Sequence, residues 1–308
     1  MLDLFGLPSA TQADVQQFNG NSKINVESWQ QWLKPRGKTM ASILLVGAGG
    51  NGGAGVRGAN STAAGGGGGG SGEQSRLIIP ISLLPHVLYV SCGTAGSTGV
   101  NSFISVAPNS TTNHLILKAN PGSAGGAASG ATGGAGGVGA TAGTISGMPL
   151  AGLGVFATFG GQNGIIGGAA VAGAALTLPV TGLIVTGGTG GGGLPAAAAA
   201  GTNGGSFVVP AAPTIYPPHS GGVGSATATV PANPGNAGTM GFSGLMFGYG
   251  GTGAASTHGT ATGGGLVQGR GGNGAPGCGG GGMGGALTGS AAAVNSLGGE
   301  GFCIITCW

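Results

Sequence analysis

Charge is what this sequence has least of. Asp, Glu, Lys and Arg make up 4% of its 308 residues, where soluble domains carry roughly 25%. Solvated disorder needs high net charge and low hydrophobicity, so this composition argues against it. The net charge of +3 is also too thinly spread for nucleic acid. Lys23, Lys34, Arg36 and Lys38 lie in the first forty positions, and only Arg57, Arg76, Lys118 and Arg270 follow. That leaves no basic stripe to track a phosphate backbone. The acids Asp3, Asp14, Glu27, Glu73 and Glu300 are never close in sequence, so paired-carboxylate chemistry has no local support. His86, His114, His219 and His258 are isolated from one another and from any acid. The reading is a non-enzyme with no catalytic residues, no metal and no cofactor.

Cysteine is scarce as well. Cys92, Cys278, Cys303 and Cys307 show no C-x-x-C spacing, so neither a zinc site nor a disulfide framework is indicated. Cys303 and Cys307 share one face of a strand, with Cα atoms about 13 Å apart, too far to bond. Buried free thiols are expected, which suits assembly in a reducing cytoplasm. The opening Met1-Leu2-Asp3-Leu4-Phe5 has an acid where a secretion signal is basic. The apolar run from Gly164 to Thr186 contains Pro179 and many glycines. With no Lys or Arg between Lys118 and Arg270 to flank it, membrane insertion is not expected.

Glycine is what the chain has in place of these, at 79 residues against a usual share of about 7%. Each glycine fixed in extended backbone costs roughly 0.5–1 kcal/mol more than alanine. Flexible linker is one outcome, but the interspersed Val, Ile, Leu and Phe argue for order. The ordered alternative packs backbones so closely that only hydrogen fits at each Cα. Lateral N–H···O=C bonds and Cα–H···O contacts would then offset the entropy. Such segments are polyglycine- or polyproline-II-like, with three residues per turn and no internal hydrogen bonds. Strict G-X-Y triplets are absent, which excludes collagen, and no 20–50-residue repeat suggests a solenoid.

Two apolar strands frame the glycine. Met40–Val46 runs straight into Gly47-Ala48-Gly49-Gly50-Asn51-Gly52-Gly53, and Gly301–Trp308 lies at the other end. The central expectation is that both belong to one sheet from which the glycine tracts project. The fold class is thus mostly β and irregular: a sheet base from N- and C-terminal strands, packed polyglycine-like segments and long loops. Arg76–Pro80, Val87–Ser91, Asn101–Val106 and His114–Ala119 read as further strands, with shorter candidates at 183–185 and 207–209. Residues 1–39 differ in composition and read as an N-terminal attachment segment, leaving 40–308 as the glycine-rich domain. Within that segment Thr11–Phe18 suggests a short helix capped by Thr11 and stopped by Gly20. Phe18, Trp29 and Trp32 are its candidate docking aromatics, and packing is the role expected of Trp29, Trp32 and Leu33 whether helix or strand.

Gly47-x-Gly49-x-x-Gly52 after a strand matches the dinucleotide fingerprint, yet more glycine follows where a helix is required. No Walker lysine follows any glycine run. Two islands carry large side chains: Tyr216 and His219 in one, and Phe242, Met246, Phe247 and Tyr249 in the other. Aromatics on Gly/Ser loops suit a binding surface; the alternative is a small core wedged between rods.

From Trp32-Leu33-Lys34-Pro35-Arg36-Gly37 into Leu44-Leu45-Val46-Gly47, and again at Gly271-Gly272-Asn273-Gly274, Gly279–Gly282 and the closing strand, the chain resembles a known pattern. Pro85-His86-Val87-Leu88-Tyr89-Val90 with Ser102-Phe103 matches it too. It is similar to the glycine-rich domain of bacteriophage tail-fibre receptor-binding adhesins, over roughly residues 29–308. The resemblance implies a β-base carrying packed polyglycine helices whose loops touch a host cell-surface molecule. It also implies a virion location after assembly in the host cytoplasm, attachment to fibre, tail or capsid proteins, and a homo-oligomer, by analogy a trimer. The alternative is a purely structural virion component, such as a capsid decoration or fibre shaft without receptor contact, whose aromatics would all be buried.

Overall fold

The computed structural model describes residues 13–21, 28–59, 62–96, 99–142, 154–178, 184–196, 199–208, 219–227, 232–241, 247–259, 267–288 and 290–308, with the side chain of 247 also outside this set. Its strands in chain order are β1 (Asp14–Asn19), β2 (Trp29–Leu33), β3 (Met40–Val46), β4 (Arg57–Gly58), β5 (Gln74–Pro80), β6 (Val87–Ser91), β7 (Ser102–Ser105), β8 (Leu115–Ala119) and β9 (Val155–Phe159). Short pairs follow at β10 (Leu176–Thr177), β11 (Phe207–Val208), β12 (Met240–Gly241), β13 (Phe247–Gly248) and β14 (Ala286–Leu287). The last strand is β15 (Phe302–Cys307).

The framing strands do share one sheet. β3 and β15 pair antiparallel along their whole length, Ile43 opposite Ile305 and Val46 opposite Phe302. The sheet runs β1-β15-β3-β5-β9, and a second antiparallel sheet runs β2-β6-β7-β8. Alternation places Ala41, Ile43 and Leu45 of β3 inward, where they meet Ile305, Leu88, Ile104 and Leu117 in a single core. Two facing sheets therefore form the base. A second apolar cluster covers the other face of the five-stranded sheet, built from Val46, Phe302, Val185, Ala275 and Cys278.

Two expectations for the N-terminal segment are corrected. The residues of the expected helix that are described form strand β1 instead, paired residue for residue with β15 from Asp14–Cys307 to Asn19–Phe302. Burial alternates along it, with Phe18 inward and Val15, Gln17 and Asn19 exposed, as in a half-buried strand, and β15 supplies the partner that local propensity does not reveal. The boundary at residue 39 separates no core either. Phe18 and Trp32 are buried within the base, and Trp29 stacks on Phe103 with ring centroids 6.2 Å apart. These aromatics are packing material of the base, not free docking groups.

At the upper end of the base the periodicity changes from two to three. Along Gly65–Glu73, successive N–H groups donate to three different segments in rotation. Residues 65, 68 and 71 bond the carbonyls of 168, 165 and 162; residues 66, 69 and 72 bond 283, 280 and 277; residues 67, 70 and 73 bond 126, 123 and 120. The carbonyls of the same rod accept from three more: Gly50 and Gly53, Gly134 and Gly137, and Gly188 and Gly191. Six rods thus surround this one, as expected when each residue advances a third of a turn.

That arrangement explains the glycine content face by face. A Cβ added at Gly65, Gly66 or Gly67 would lie 2.2, 2.1 and 1.9 Å from the carbonyl oxygens of Gly191, Gly53 and Ala135. All three faces of the central rod are therefore closed over Gly65–Gly70, where only glycine fits. Peripheral rods need glycine on fewer faces. In Gly133-Gly134-Ala135-Gly136-Gly137-Val138-Gly139 the third position is exposed, and Val138 is 61% accessible. At the edge, between 233 and 239, only Gly235 and Gly238 face inward against backbone. Positive φ is not the reason for these glycines: among the described glycines only Gly37, Gly130 and Gly277 have it.

Per residue, a net hydrogen bond contributes about 1 kcal/mol and a Cα–H···O contact roughly 0.5–1. Ordering backbone costs about 1–2, and glycine adds to that. The terms nearly cancel, so the lattice depends on the hydrophobic base that fixes where its rods begin.

Candidate functional site

Four rods start where strands of the base end or begin. β3 continues into Gly47, β5 is entered from Glu73, β8 leads into Asn120 and β9 into Gly160. Glu73, fully buried at this joint, accepts hydrogen bonds from Asn120 N (2.9 Å) and Ser75 Oγ (3.2 Å). Where rods diverge, polar side chains take over the bonding. Thr189 Oγ1 donates to Gly205 O and accepts from Gly253 N, at 2.6 and 2.7 Å. Gln268 Nε2 donates to Gly55 and Gly284, and Asn51 Oδ1 accepts from Gly298 N at 3.0 Å.

By the 3.1 Å rise of such helices, a nine-residue rod extends about 28 Å from the base. There the chain reverses repeatedly, and turns from distant parts of the sequence meet. Ser129 and Thr132 close a two-residue turn with Gly130 at φ 56°, and Gly130 O accepts from Ala64 N. Val171 O accepts from Gly193 N, Gly58 O from Thr288 N, and Ala199 O from Gly259 N. Arg57 reaches across to Ser290 O at 2.9 Å. Ala59, Thr62, Ala131, Ala169 and Val171 are exposed here. This distal face is small-residue, nearly uncharged and built from turns braced against one another. The rest of the connections in this region lie outside the described residues.

The two aromatic islands are placed elsewhere. His219 and Tyr249 do come together, with ring centroids 4.4 Å apart. Phe207 meets Tyr249 edge-on at 5.6 Å. Tyr249 is 2% exposed and sits in a small core with Leu176, Leu178 and Phe207. His219 is half-buried, its Nε2 3.3 Å from Thr239 Oγ1, and burial lowers its pKa. Phe247 lies in β13, its backbone opposite Gly241, close to where Val185 bridges Gly248. Tyr216, Phe242 and Met246 lie outside the described residues. For Tyr249 the contact role is corrected: the mini-core reading describes it, because its ring fills the gap where outer rods meet the base.

All four cysteines are free and buried. Burial pushes the thiols of Cys92 and Cys278 up to about 12. Burial, with Asp14 adding and Lys38 opposing, puts Cys307 at about 11. Cys303 is also raised, by burial and then by Cys92. Among the described residues no cluster of three or more His, Cys, Asp or Glu could hold a metal, and no helix is long and apolar enough to cross a membrane. No family model matches the chain, and no curated protein is significantly similar to it.

Ala, Thr, Ser and Gly carry no chemical signature that marks the distal turns in the sequence. The one signal available was positional: each turn falls where a run of glycine triplets breaks.

Proposed function

We propose that the protein is a virion adhesin: its base is held by a neighbouring virion protein and its distal turns contact a host cell-surface molecule. The observation that carries this reading is the braced cluster of turns at the far end of a side-chain-poor rod lattice. Function concentrates on loops positioned by a rigid scaffold, and here the scaffold holds several non-adjacent turns on one face. The resemblance to tail-fibre adhesins supports the same assignment.

The test places bulk on that face without touching a rod. Ala59→Arg, Ala131→Arg and Ala169→Arg sit at exposed turn positions. Particles carrying all three assemble normally, and their adsorption to host cells falls at least about tenfold, the equivalent of 1.4 kcal/mol. Unchanged adsorption favours the second reading, a structural virion component without receptor contact. That reading has its own support: among the described residues, no Phe, Tyr or Trp side chain is exposed.

A further inference from the structure

The opposite end of the molecule carries the charge that the lattice lacks. Strand directions put the β2–β3 and β5–β6 connections together at the foot of the base, about a cleft of roughly 620 Å³. Lys34, Arg36 and Lys38 line it from one connection, and Ile81, Ser82 and His86 from the other. The whole chain has eight Lys and Arg residues, so three in one cleft is a concentration.

The walls are tied to each other before anything binds. Lys34 N donates to His86 O at 2.9 Å, and Ile81 N to Thr39 O at 2.9 Å. Lys34 Nζ donates to Leu84 O at 2.8 Å. Between them Gly37, at φ 73°, makes the reversal after Pro35-Arg36. Among the described residues, Lys34, Arg36 and Lys38 form no ion pair. Asp14, at the foot of β1, instead accepts a hydrogen bond from Gln16 Nε2 at 3.1 Å.

We propose that this cleft binds an acidic peptide segment of the virion protein to which the base attaches. The three cations line one wall of a single concave space rather than a stripe, which suits carboxylates on a short segment and not a nucleic-acid backbone. Its size is in the range that encloses an organic ligand of several groups, well beyond a free anion. That the segment belongs to a virion protein rests on the adhesin reading; recognition of acidic peptide does not.

Binding is measured on the full chain by titrating a labelled hexaglutamate peptide, with hexaglutamine, inorganic phosphate and a ten-nucleotide DNA as competitors. Arg36→Gln and Lys38→Gln each weaken hexaglutamate about three- to fivefold and together about tenfold or more, with unchanged melting temperature. Rising salt weakens binding to the native chain and much less to the double variant. Hexaglutamine binding as tightly, variants binding as the native chain does, or DNA or phosphate displacing the peptide at equal charge concentration would each overturn the proposal. In particles, the double variant is lost from the virion whereas the distal-turn variant is retained. Normal incorporation of the double variant sinks the attachment role and leaves the adhesin reading standing. A native chain absent from particles sinks the adhesin reading while peptide binding can still hold.

Discussion

Ile43 and Gly67 are both fully enclosed, for opposite reasons. Ile43 is buried because its side chain fills the space between two sheets. Gly67 is buried because it has none, and Ala135 O occupies the place where a Cβ would stand. The base is therefore sensitive to what is taken away and the lattice to what is added. Side chains specify the first through volume. Backbone spacing specifies the second, with the hydrogen-bond partner of each residue changing every third position.

Gly67→Ala gives the largest effect that would test this contrast. The added methyl would stand 1.9 Å from Ala135 O, a backbone atom fixed by its own neighbours. The rod must shift and break lateral bonds, so unfolding free energy drops by more than about 4 kcal/mol. Gly58→Ala is the control. Its nearest neighbour would be Thr62 Oγ1 at 3.4 Å, and denaturation midpoints should then agree within about 0.5 kcal/mol. Equal tolerance at both sites would refute close backbone packing.

Ile43→Ala comes next, at about 2–5 kcal/mol for a cavity in the base, read from urea unfolding. Because the rods depend on the base for their starting level, amide exchange at Gly65–Gly70 should accelerate along with exchange in β3. Faster exchange confined to the base would mean the lattice stands alone.

The smallest effect is alkaline. Ordinary thiols ionise near pH 8.5, while burial raises Cys92 and Cys278 to about 12 and Cys307 to about 11. In that window the unfolded chain has lost protons that the folded chain keeps. Their contribution to stability is therefore complete below about pH 8.5 and declines as pH rises towards the folded values. Replacing all four cysteines with alanine should flatten the fall in denaturation midpoint between pH 8.5 and 10.5. An unchanged slope would show that other groups cause it.

Much of the base could be read directly. Met40–Val46, Val87–Ser91 and Phe302–Cys307 are apolar runs that read as strands, and the first and last share one sheet as expected. β1 escaped notice because Gln16 and Gln17 give it no propensity apart from β15. β9, Val155–Phe159, was not singled out within the Gly/Ala background, and its place at the sheet edge comes from pairing with β5. In the lattice, the three-residue turn was inferable but not who neighbours whom, since a glycine names no partner. The aromatic islands left both roles open for a related reason: against glycine any large side chain looks like a site, and Tyr249 packs with Phe207 in a small core. The basic residues around Pro35 were visible, but nothing in the sequence brought His86 beside them.

The screw of three residues per turn also sets a rule for how such a chain changes length. Inserting three residues into a rod adds one turn and returns every face to its old neighbour. Inserting one or two rotates all that follows by a third or two-thirds of a revolution, driving Val138-type positions into the interior. Length variation should therefore arrive in triplets between the base and the distal face, and in any number beyond it, where the chain turns back.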